Sequence, residues 1–147
     1  MADRGNLALS GRFSVTIDDN DLGEWTKCEG LGCEIVLEQR EEGGNNGFVW
    51  QLPTRIKYSN IKLSRAVCKD SSKLTEWLAG FASGVKLHTA TISVLDVDRE
   101  VVTSWELQGV LPVRWTGPSL DPEQSKVAME TVELAHHGFL PGRVLSK

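Results

Sequence analysis

Cysteine and histidine are scarce in this 147-residue chain, which carries three of each. The cysteines, Cys28, Cys33 and Cys68, are an odd number without a Cys-x-x-Cys pair, so we expect reduced thiols rather than a disulfide framework. His136 and His137 would leave a strand on opposite faces, which prevents them from sharing one metal ion. We therefore expect neither a metal site nor a cofactor.

Long apolar runs and an apolar leader are also missing. No stretch reaches the ~18 apolar residues that a membrane-spanning helix needs, so we expect no stable membrane association. Residues 1–11 are too polar for the apolar region of a signal peptide, which predicts a protein that is cytoplasmic on synthesis. The net charge of −4 argues against a general affinity for nucleic acid or anionic lipid.

No stretch of the sequence carries a complete catalytic or ligand-binding motif. The glycines at positions 43, 44 and 47 lack the Lys-Ser/Thr that follows a phosphate-binding loop. Segment 18–29 matches four positions of a calcium-binding loop, but Leu22 stands where an oxygen ligand is needed and no helices flank it. We interpret residues 18–23 as an acidic hairpin turn and expect no enzymatic activity.

What remains is ordinary globular composition, with 40% hydrophobic and 24% charged residues. A chain of this length is sufficient for one domain with its own core. We expect an N-terminal arm over residues 1–11, a single domain over residues 12–140 and a C-terminal tail over residues 141–147.

Alternation of apolar and polar residues predicts most of the secondary structure. Strands are predicted at residues 12–17, 24–28, 33–40, 48–52, 61–65, 89–94, 101–107, 110–115 and, where helix and strand preferences compete, 127–137. Pro112 places its strand near a sheet edge. One helix follows from an apolar stripe, with Asp70 or Ser71 at its start and Gly84 at its end; the stripe is Leu74, Trp77, Leu78 and Phe81. About eight strands around one helix predict a mainly β fold, a barrel or sandwich.

The charges divide into two blocks. Residues 18–42, the acidic block, hold nine acids against two bases, and residues 43–69, the basic block, hold five bases and no acid. The blocks either pair within one subunit or join one copy to the next, which would build rings or filaments. Binding of nucleic acid is disfavoured by the neighbouring acids and by Tyr58 being the sole aromatic residue near the bases.

Six stretches, in order along residues 11–138, resemble the tail tube (inner tube) protein family of contractile phage tails and phage-tail-like contractile injection systems. They are RFSVTI at 12–17, CEGLG at 28–32, REEGGNNG at 40–47, LPTRIKYSNI at 52–61, PVRWTGP at 112–118 and ETVELAH at 130–136. The family usually has glycine where this chain has Thr54.

This resemblance implies a β-barrel of two packed antiparallel sheets with one flanking helix, and a structural role. Hexameric rings would stack into a hollow tube that sheath contraction drives through a target envelope. The implied partners are further copies of the chain, a contractile sheath protein, baseplate and tube-terminator proteins, and cargo in the lumen, either an effector protein or DNA. The subunit would be incorporated into a phage tail or an injection particle.

The resemblance also implies contact residues. It places the loop at residues 40–47 at the junction between subunits and rings, with contacts from Arg40, Glu41, Glu42 and Asn46. Their basic partners are expected among Arg55, Lys57 and Lys62. The polar residues Thr89, Thr91 and Ser93 are candidates for the lumen face.

Three alternatives remain open from the residues alone. A baseplate or tube-initiator subunit and a secreted tube protein of the type VI kind would share the fold. A monomeric ligand-binding β-barrel would instead have an apolar cavity and form no filaments.

Overall fold

The computed structural model describes residues 12–41, 49–123 and 126–140, which form nine strands and one α-helix. The strands are β1 (Arg12–Ile17), β2 (Asn20–Trp25), β3 (Lys27–Glu29), β4 (Cys33–Glu41), β5 (Val49–Tyr58), β6 (Ile61–Ala66), β7 (His88–Leu95), β8 (Val101–Thr116) and β9 (Met129–Ala135). Helix α1 spans Ser71–Gly80 and continues as a 3-10 turn at Phe81–Ser83.

Seven strands form one antiparallel sheet in the order β2-β1-β7-β8-β9-β6-β3, and among the described strands β4 and β5 pair only with each other. The mainly β fold with two antiparallel sheets and one helix is thereby confirmed. Over the described residues the hydrogen-bonded ladder does not close into a complete barrel. Its two end strands, β2 and β3, are consecutive in the chain and are separated by Thr26, whose N–H donates to the Ser64 carbonyl at 3.1 Å.

Strand β8 joins the two halves of the seven-stranded sheet, because it pairs with β7 along its first part and with β9 along its last part. Its residues 101–110 pair with β7, and its residues 111–116 pair with β9. The sequence pattern predicts two strands here, but the chain continues through Gly109, which adopts a φ of +63°. Glycine reaches this left-handed conformation without a steric penalty, so the strand bends rather than ends. The expectation that Pro112 lies near a sheet edge is wrong for the strand as a whole, because β8 is the middle strand of seven. Pro112 nevertheless lies beyond the last β7 pair, where its missing N–H is tolerated.

Other strand boundaries also differ from those predicted. Strand β2 begins at Asn20, so the acidic turn is limited to Asp18 and Asp19. Strand β5 extends past Pro53 to Tyr58, because a strand with one partner can leave the proline without a hydrogen-bonded neighbour on its other side. The ambiguous segment 127–137 contains β9, which pairs on both sides with β6 and β8.

The core consists of inward-facing residues of the seven-stranded sheet and the buried side of α1. Alternate residues such as Val15, Ile17 and Ile92 are fully buried, and α1 contributes Leu74 and Trp77. The helix starts and ends where the sequence predicts: residue 70 is its N-cap, although without a side-chain capping bond, and a glycine at position 84 with φ +149° follows its last turn.

A buried ion pair connects the sheet to the start of α1. Arg65 on β6 and Glu130 on β9 are 2% and 1% exposed, and Nε of Arg65 donates to Oε2 of Glu130 at 2.8 Å. The guanidinium also donates to the Leu22 carbonyl at 2.6 Å and lies 3.9 Å from the centre of the Trp25 ring. The hydroxyl of Ser71, the first residue of α1, donates to the same carboxylate. Strands β2, β6 and β9 and the helix are therefore joined by one network.

Candidate assembly interface

Strands β4 and β5 form a two-stranded ribbon that does not pair with the seven-stranded sheet. Nine residue pairs join them, from Cys33 opposite Tyr58 at the base to Glu41 opposite Val49 at the far end. Because successive side chains of a strand point to opposite sides, the pairs form two faces. Between these ends, the apolar face carries Ile35, Leu37, Gln39, Gln51, Pro53 and Ile56, and the charged face carries Glu34, Val36, Glu38, Arg40, Trp50, Leu52, Arg55 and Lys57.

The apolar face is about half exposed to solvent. Ile35, Leu37 and Ile56 are 53%, 51% and 51% exposed, and Val49 at the far end is 43% exposed. Exposed apolar side chains on one face of a ribbon are a candidate surface for a protein–protein contact. An isolated two-stranded ribbon is also marginally stable in water, so a partner that covers this face would stabilise it.

The charged face presents its bases to solvent. Arg40, Arg55 and Lys57 are exposed. Lys57 stands opposite Glu34 in the ladder, but among the described residues neither side chain lies within ion-pair distance of an opposite charge. Exposed bases on one face are candidates for contact with acidic groups of another molecule.

The ion pairs that the described bases of the basic block form are with acids on β9, not with acids of the acidic block. Lys62 on β6 lies 3.7 Å from Glu133, and Arg65 pairs with Glu130. Among the described side chains, which do not include those of Glu41 and Glu42, no ion pair joins the acidic block to the basic block.

A β-bulge interrupts the ribbon at Thr54. Val36 pairs with Arg55 and Leu37 with Pro53, so Thr54 is the extra residue on β5. Its hydroxyl donates to the Val36 carbonyl at 2.8 Å. A glycine lacks this hydroxyl, so the departure from the resembled pattern gives this ribbon a hydrogen bond across its bulge.

An aromatic cluster anchors the base of the ribbon. The Tyr58 ring lies 5.3 Å from the His136 ring and 5.8 Å from the Phe139 ring, measured between centroids. His136 is 7% exposed, and its Nδ1 accepts the N–H of Gly138 at 3.1 Å. Burial lowers the pKa of His136 below its ordinary 6.5, so the ring is neutral at pH 7.

The predicted contact residues lie on both sheets. Arg40, Arg55 and Lys57 lie on the ribbon, whereas Lys62 lies on β6 of the seven-stranded sheet and already pairs within the subunit. Glu42 and Asn46 lie outside the described residues, as does the side chain of Glu41, whose backbone pairs opposite β5. Their contact role stays a prediction.

The predicted lumen residues share one side of β7, opposite the side that carries Ile92. Thr89 is exposed and Thr91 partly exposed, but Ser93 is only 9% exposed. Their cross-strand neighbours are also polar: Ser14, Thr16, Ser104 and Glu106. The structure thus brings the three residues together on a hydroxyl-rich surface.

Asp18 and Asp19, at the start of the segment that matches a calcium-binding loop, form the turn between β1 and β2. Asp18 adopts a φ of +52°, and its carboxylate hydrogen-bonds with His88 Nδ1 and accepts the Thr89 N–H. The hydrogen bond from His88 holds the pKa of Asp18 below its usual 3.8, against the effect of burial. The carboxylate therefore ties the turn to the start of β7.

All three cysteines are free thiols. Cys28 is half-buried, and burial raises the pKa of its thiol to about 11, so it is a poor nucleophile at neutral pH. In the described part of the chain, no three His, Cys, Asp or Glu side chains gather as a metal site, and no helix has the length and apolarity to cross a membrane.

The apolar face and the aromatic cluster are absent from the predicted site. Alternation through residues 33–37 places Ile35 and Leu37 on one face, but the same pattern arises whether that face covers the chain's own core or a partner. The glycine-rich segment 43–47 between two alternating strands is the signal that indicates a separate hairpin.

The chain matches a family model and several solved structures. The model described as T4-like virus tail tube protein gp19 matches residues 9–140. A chain in the cryo-EM structure of the anti-feeding prophage (AFP) baseplate, 6-fold symmetrised, is similar at 25% identity and TM-score 0.76, covering 95% of this chain and 96% of that chain. A chain of the PVC sheath-tube complex, from an extracellular contractile injection system, is similar at 20% identity and TM-score 0.75, covering 95% and 97%. A chain of the AFP tube-terminating cap is similar at 24% identity and TM-score 0.72, covering 91% and 93%. No curated protein sequence matches.

Proposed function

The chain belongs to the family of the T4-like virus tail tube protein gp19 and is a tail tube protein of contractile injection systems, and we propose that its β4–β5 ribbon joins copies into hexameric rings that stack into a hollow tube. The observation that carries this proposal is the half-exposed apolar face of the ribbon. A neighbouring copy that covers Ile35, Leu37 and Ile56 would remove their apolar surface from water. Each Å² of apolar surface buried in this way stabilises the assembly by about 25 cal/mol.

Ring formation is supported by the separation of charge and by the relatives. A contact that joins two different surfaces of the same chain closes into a ring or continues as a helix. The charged face presents Arg40, Arg55 and Lys57, and Glu41 and Glu42 belong to the acidic block, so opposite charges are available for such a contact. The similar AFP baseplate is 6-fold symmetrised, which favours six copies per ring.

The sheath, the baseplate and a tube terminator are proposed as further partners. One similar structure is a sheath-tube complex, and two others are a baseplate and a tube-terminating cap. The tube would conduct a cargo, either an effector protein or DNA, and the subunit would be made in the cytoplasm before it enters the particle. Its role is structural, as in the rest of its family, and not enzymatic.

The hydroxyl-rich surface of β7 is proposed as part of the lumen wall. Thr89, Thr91 and Ser93 lie on one side of the strand and adjoin further hydroxyl groups on β1 and β8. A wall with mostly uncharged hydroxyl groups offers few fixed charges to hold a passing cargo.

The first experiment introduces charge into the apolar face. Leu37→Glu and Ile56→Glu should leave the subunit folded, since both residues are about half exposed, but should prevent tube formation. Circular dichroism reports folding, and sedimentation velocity with negative-stain electron microscopy reports assembly. Val97→Glu is the matched control, because Val97 is 85% exposed in the turn between β7 and β8. Tubes of normal length from both ribbon variants, or loss of tubes in the control as well, would contradict a specific role for the ribbon.

The second experiment tests the charge contact by exchange. Reversal to Lys at Glu41 and Glu42, or to Glu at Arg55 and Lys57, should each abolish tubes, and all four reversals in one chain should restore them in part. Assembly of the unmodified protein should also weaken with added salt, because exposed charge pairs are screened beyond about 8 Å at physiological ionic strength. Failure of the combined reversal to restore any assembly would remove the proposed pairing but not the apolar contact.

A baseplate or initiator subunit of the same fold is the second candidate, favoured by the similarity to the AFP baseplate structure. The number of copies per purified particle distinguishes the two, since a tube protein is repeated through many rings. One ring per particle would favour the initiator.

A further inference from the structure

His136 is enclosed at the point where the ribbon joins the seven-stranded sheet. It is 7% exposed, and its ring contacts those of Tyr58 and Phe139, with centroids 5.3 and 5.5 Å away. Its Nδ1 accepts the Gly138 N–H, and its Nε2 is buried without a hydrogen-bond partner among the described residues. The imidazole is therefore held as the neutral tautomer with its proton on Nε2, because an Nδ1 that accepts a hydrogen bond carries no proton.

A second proton does not fit this arrangement. It would have to sit on Nδ1, where it would face the Gly138 N–H, and it would place a positive charge in a buried aromatic site. Burial is the main cause that lowers the pKa of His136. Protonation must therefore open the site.

The charged surroundings do not compensate the imidazolium. His137, next in the chain, disfavours a second positive charge. Strand β5 contributes the aromatic ring of Tyr58. Strand β8 contributes Gln108, which has no charge and whose backbone bonds to both His137 and Gly138.

The site connects the ribbon to the sheet through a short corner at residues 136–139. The Gly138 carbonyl accepts the Gln108 N–H at 2.9 Å, and the His137 N–H donates to the Gln108 carbonyl at 2.7 Å. A Cβ at Gly138 would lie 2.9 Å from the Tyr58 hydroxyl, so the corner and the tyrosine are in close contact. Tyr58 pairs opposite Cys33, so the base of the ribbon, where β4 begins and β5 ends, lies next to this corner.

We propose that His136 is an acid-sensitive latch, which in its neutral form holds the base of the ribbon against the sheet and on protonation releases it. The latch is a property of the single subunit. Its consequence for assembly, that tubes form less readily in mild acid, rests on the proposed function of the ribbon.

The direction of the pH effect follows from the lowered pKa. Since the unfolded chain binds a proton at His136 near pH 6.5 and the closed site binds it only at lower pH, the latch is fully effective above about pH 6.5. The stabilisation of the closed site by neutral His136 is lost as the pH falls from about 6.5 towards the lower pKa that His136 has in the closed site. In that interval, the population of open sites rises by up to about tenfold per pH unit.

The experiment is hydrogen–deuterium exchange of the isolated subunit between pH 7.5 and 5.5, corrected for the pH dependence of intrinsic exchange. Amides of β5 near Tyr58 should lose up to about tenfold of their protection by pH 5.5, while amides of β1 and β7 keep theirs. His136→Asn supplies an oxygen at the position of Nδ1 without a titrating group, and it should make the protection of β5 independent of pH. His137→Asn is the matched control and should retain the response.

Each outcome decides for or against the latch. Constant β5 protection in the unmodified protein, an unchanged pH response in His136→Asn, or its loss in His137→Asn would overturn the proposal. If His136→Asn does not fold, the exchange profile of the unmodified protein still tests the latch. An equal loss of protection in β5 and β1 would show that the whole subunit opens and would overturn the proposal of local opening at the ribbon. Since exchange is measured on single subunits, failure of tube formation does not affect the result. Tube formation at pH 7.5 and 5.5 then tests the link to assembly separately.

Discussion

Removing the charge of Glu130 should destabilise the subunit more than any other single change of charge in the sheet. The substitution Glu130→Gln keeps the shape of the side chain but leaves the guanidinium of Arg65, 2% exposed, without its counter-ion. Removing one member of a buried ion pair costs about 3–5 kcal/mol. A chain of this length has a total stability of about 5–15 kcal/mol, so the variant would lose a large part of it.

The assay is chemical and thermal denaturation of the isolated subunit. Each kcal/mol lowers the midpoint temperature of a domain of this size by roughly 2–4 °C, so Glu130→Gln should melt about 6–20 °C below the unmodified protein. The double variant Arg65→Met with Glu130→Gln removes the buried charge altogether and should recover much of the loss. The two substitutions are therefore expected to be strongly non-additive.

The same two strands supply the control. Lys62 and Glu133 form an ion pair 3.7 Å long in the same ladder of β6 and β9, but the Lys62 side chain is 58% exposed. An exposed pair contributes only about 0–1 kcal/mol, so Lys62→Met should have little effect. A cost for Glu130→Gln as small as that of Lys62→Met, or a double variant equal to the sum of its singles, would refute the reasoning.

Three further predictions concern single positions. Gly30→Ala should destabilise the subunit by at least about 2 kcal/mol in denaturation, because Gly30 has a φ of +94° and a Cβ would lie 2.0 Å from the Asn60 carbonyl oxygen. At pH 8, a thiol reagent should modify the two exposed cysteines of the folded subunit but leave Cys28, with its pKa of about 11, unmodified until denaturant is added. The pKa of Asp18 is lowered by the hydrogen bond from His88, so its stabilisation is complete above its usual 3.8 and is lost as the pH falls through the lowered value. The variant Asp18→Asn should therefore show a smaller decrease in melting temperature between about pH 4 and pH 2 than the unmodified protein.

The strands of the core were predictable because their alternation directly reflects burial. Val15 and Ile17 alternate with polar residues and are fully buried, and the stripe through Leu74 and Trp77 is the buried side of α1. In these elements one face is covered by the same chain. Local sequence pattern and tertiary structure therefore agree.

Other features depend on contacts between distant residues. Arg65 belongs to the basic block and has no sequence signal that separates it from exposed bases such as Lys57. It is buried because β6 lies beside β9 in the sheet, which brings Glu130 within 2.8 Å although 65 positions separate the two residues. The continuity of β8 likewise depends on the backbone of Gly109, since a glycine between two alternating stretches also suits a turn.

The ribbon carries some of the predicted contact residues together with an apolar face that the sequence analysis does not predict. The resemblance implies contacts at Arg40, Arg55 and Lys57, which lie on the ribbon. Charge pairs at an exposed surface, however, contribute little to affinity. Burial of the apolar face would contribute more, and that face becomes visible only once β4 and β5 are seen to pair apart from the main sheet. The same separation leaves the apolar face uncovered in the single subunit. A ribbon folded back onto its own sheet would bury these residues in the monomer and remove the apolar contribution to assembly, so the exposure of the apolar face in the single subunit and the proposed association of subunits have one structural cause.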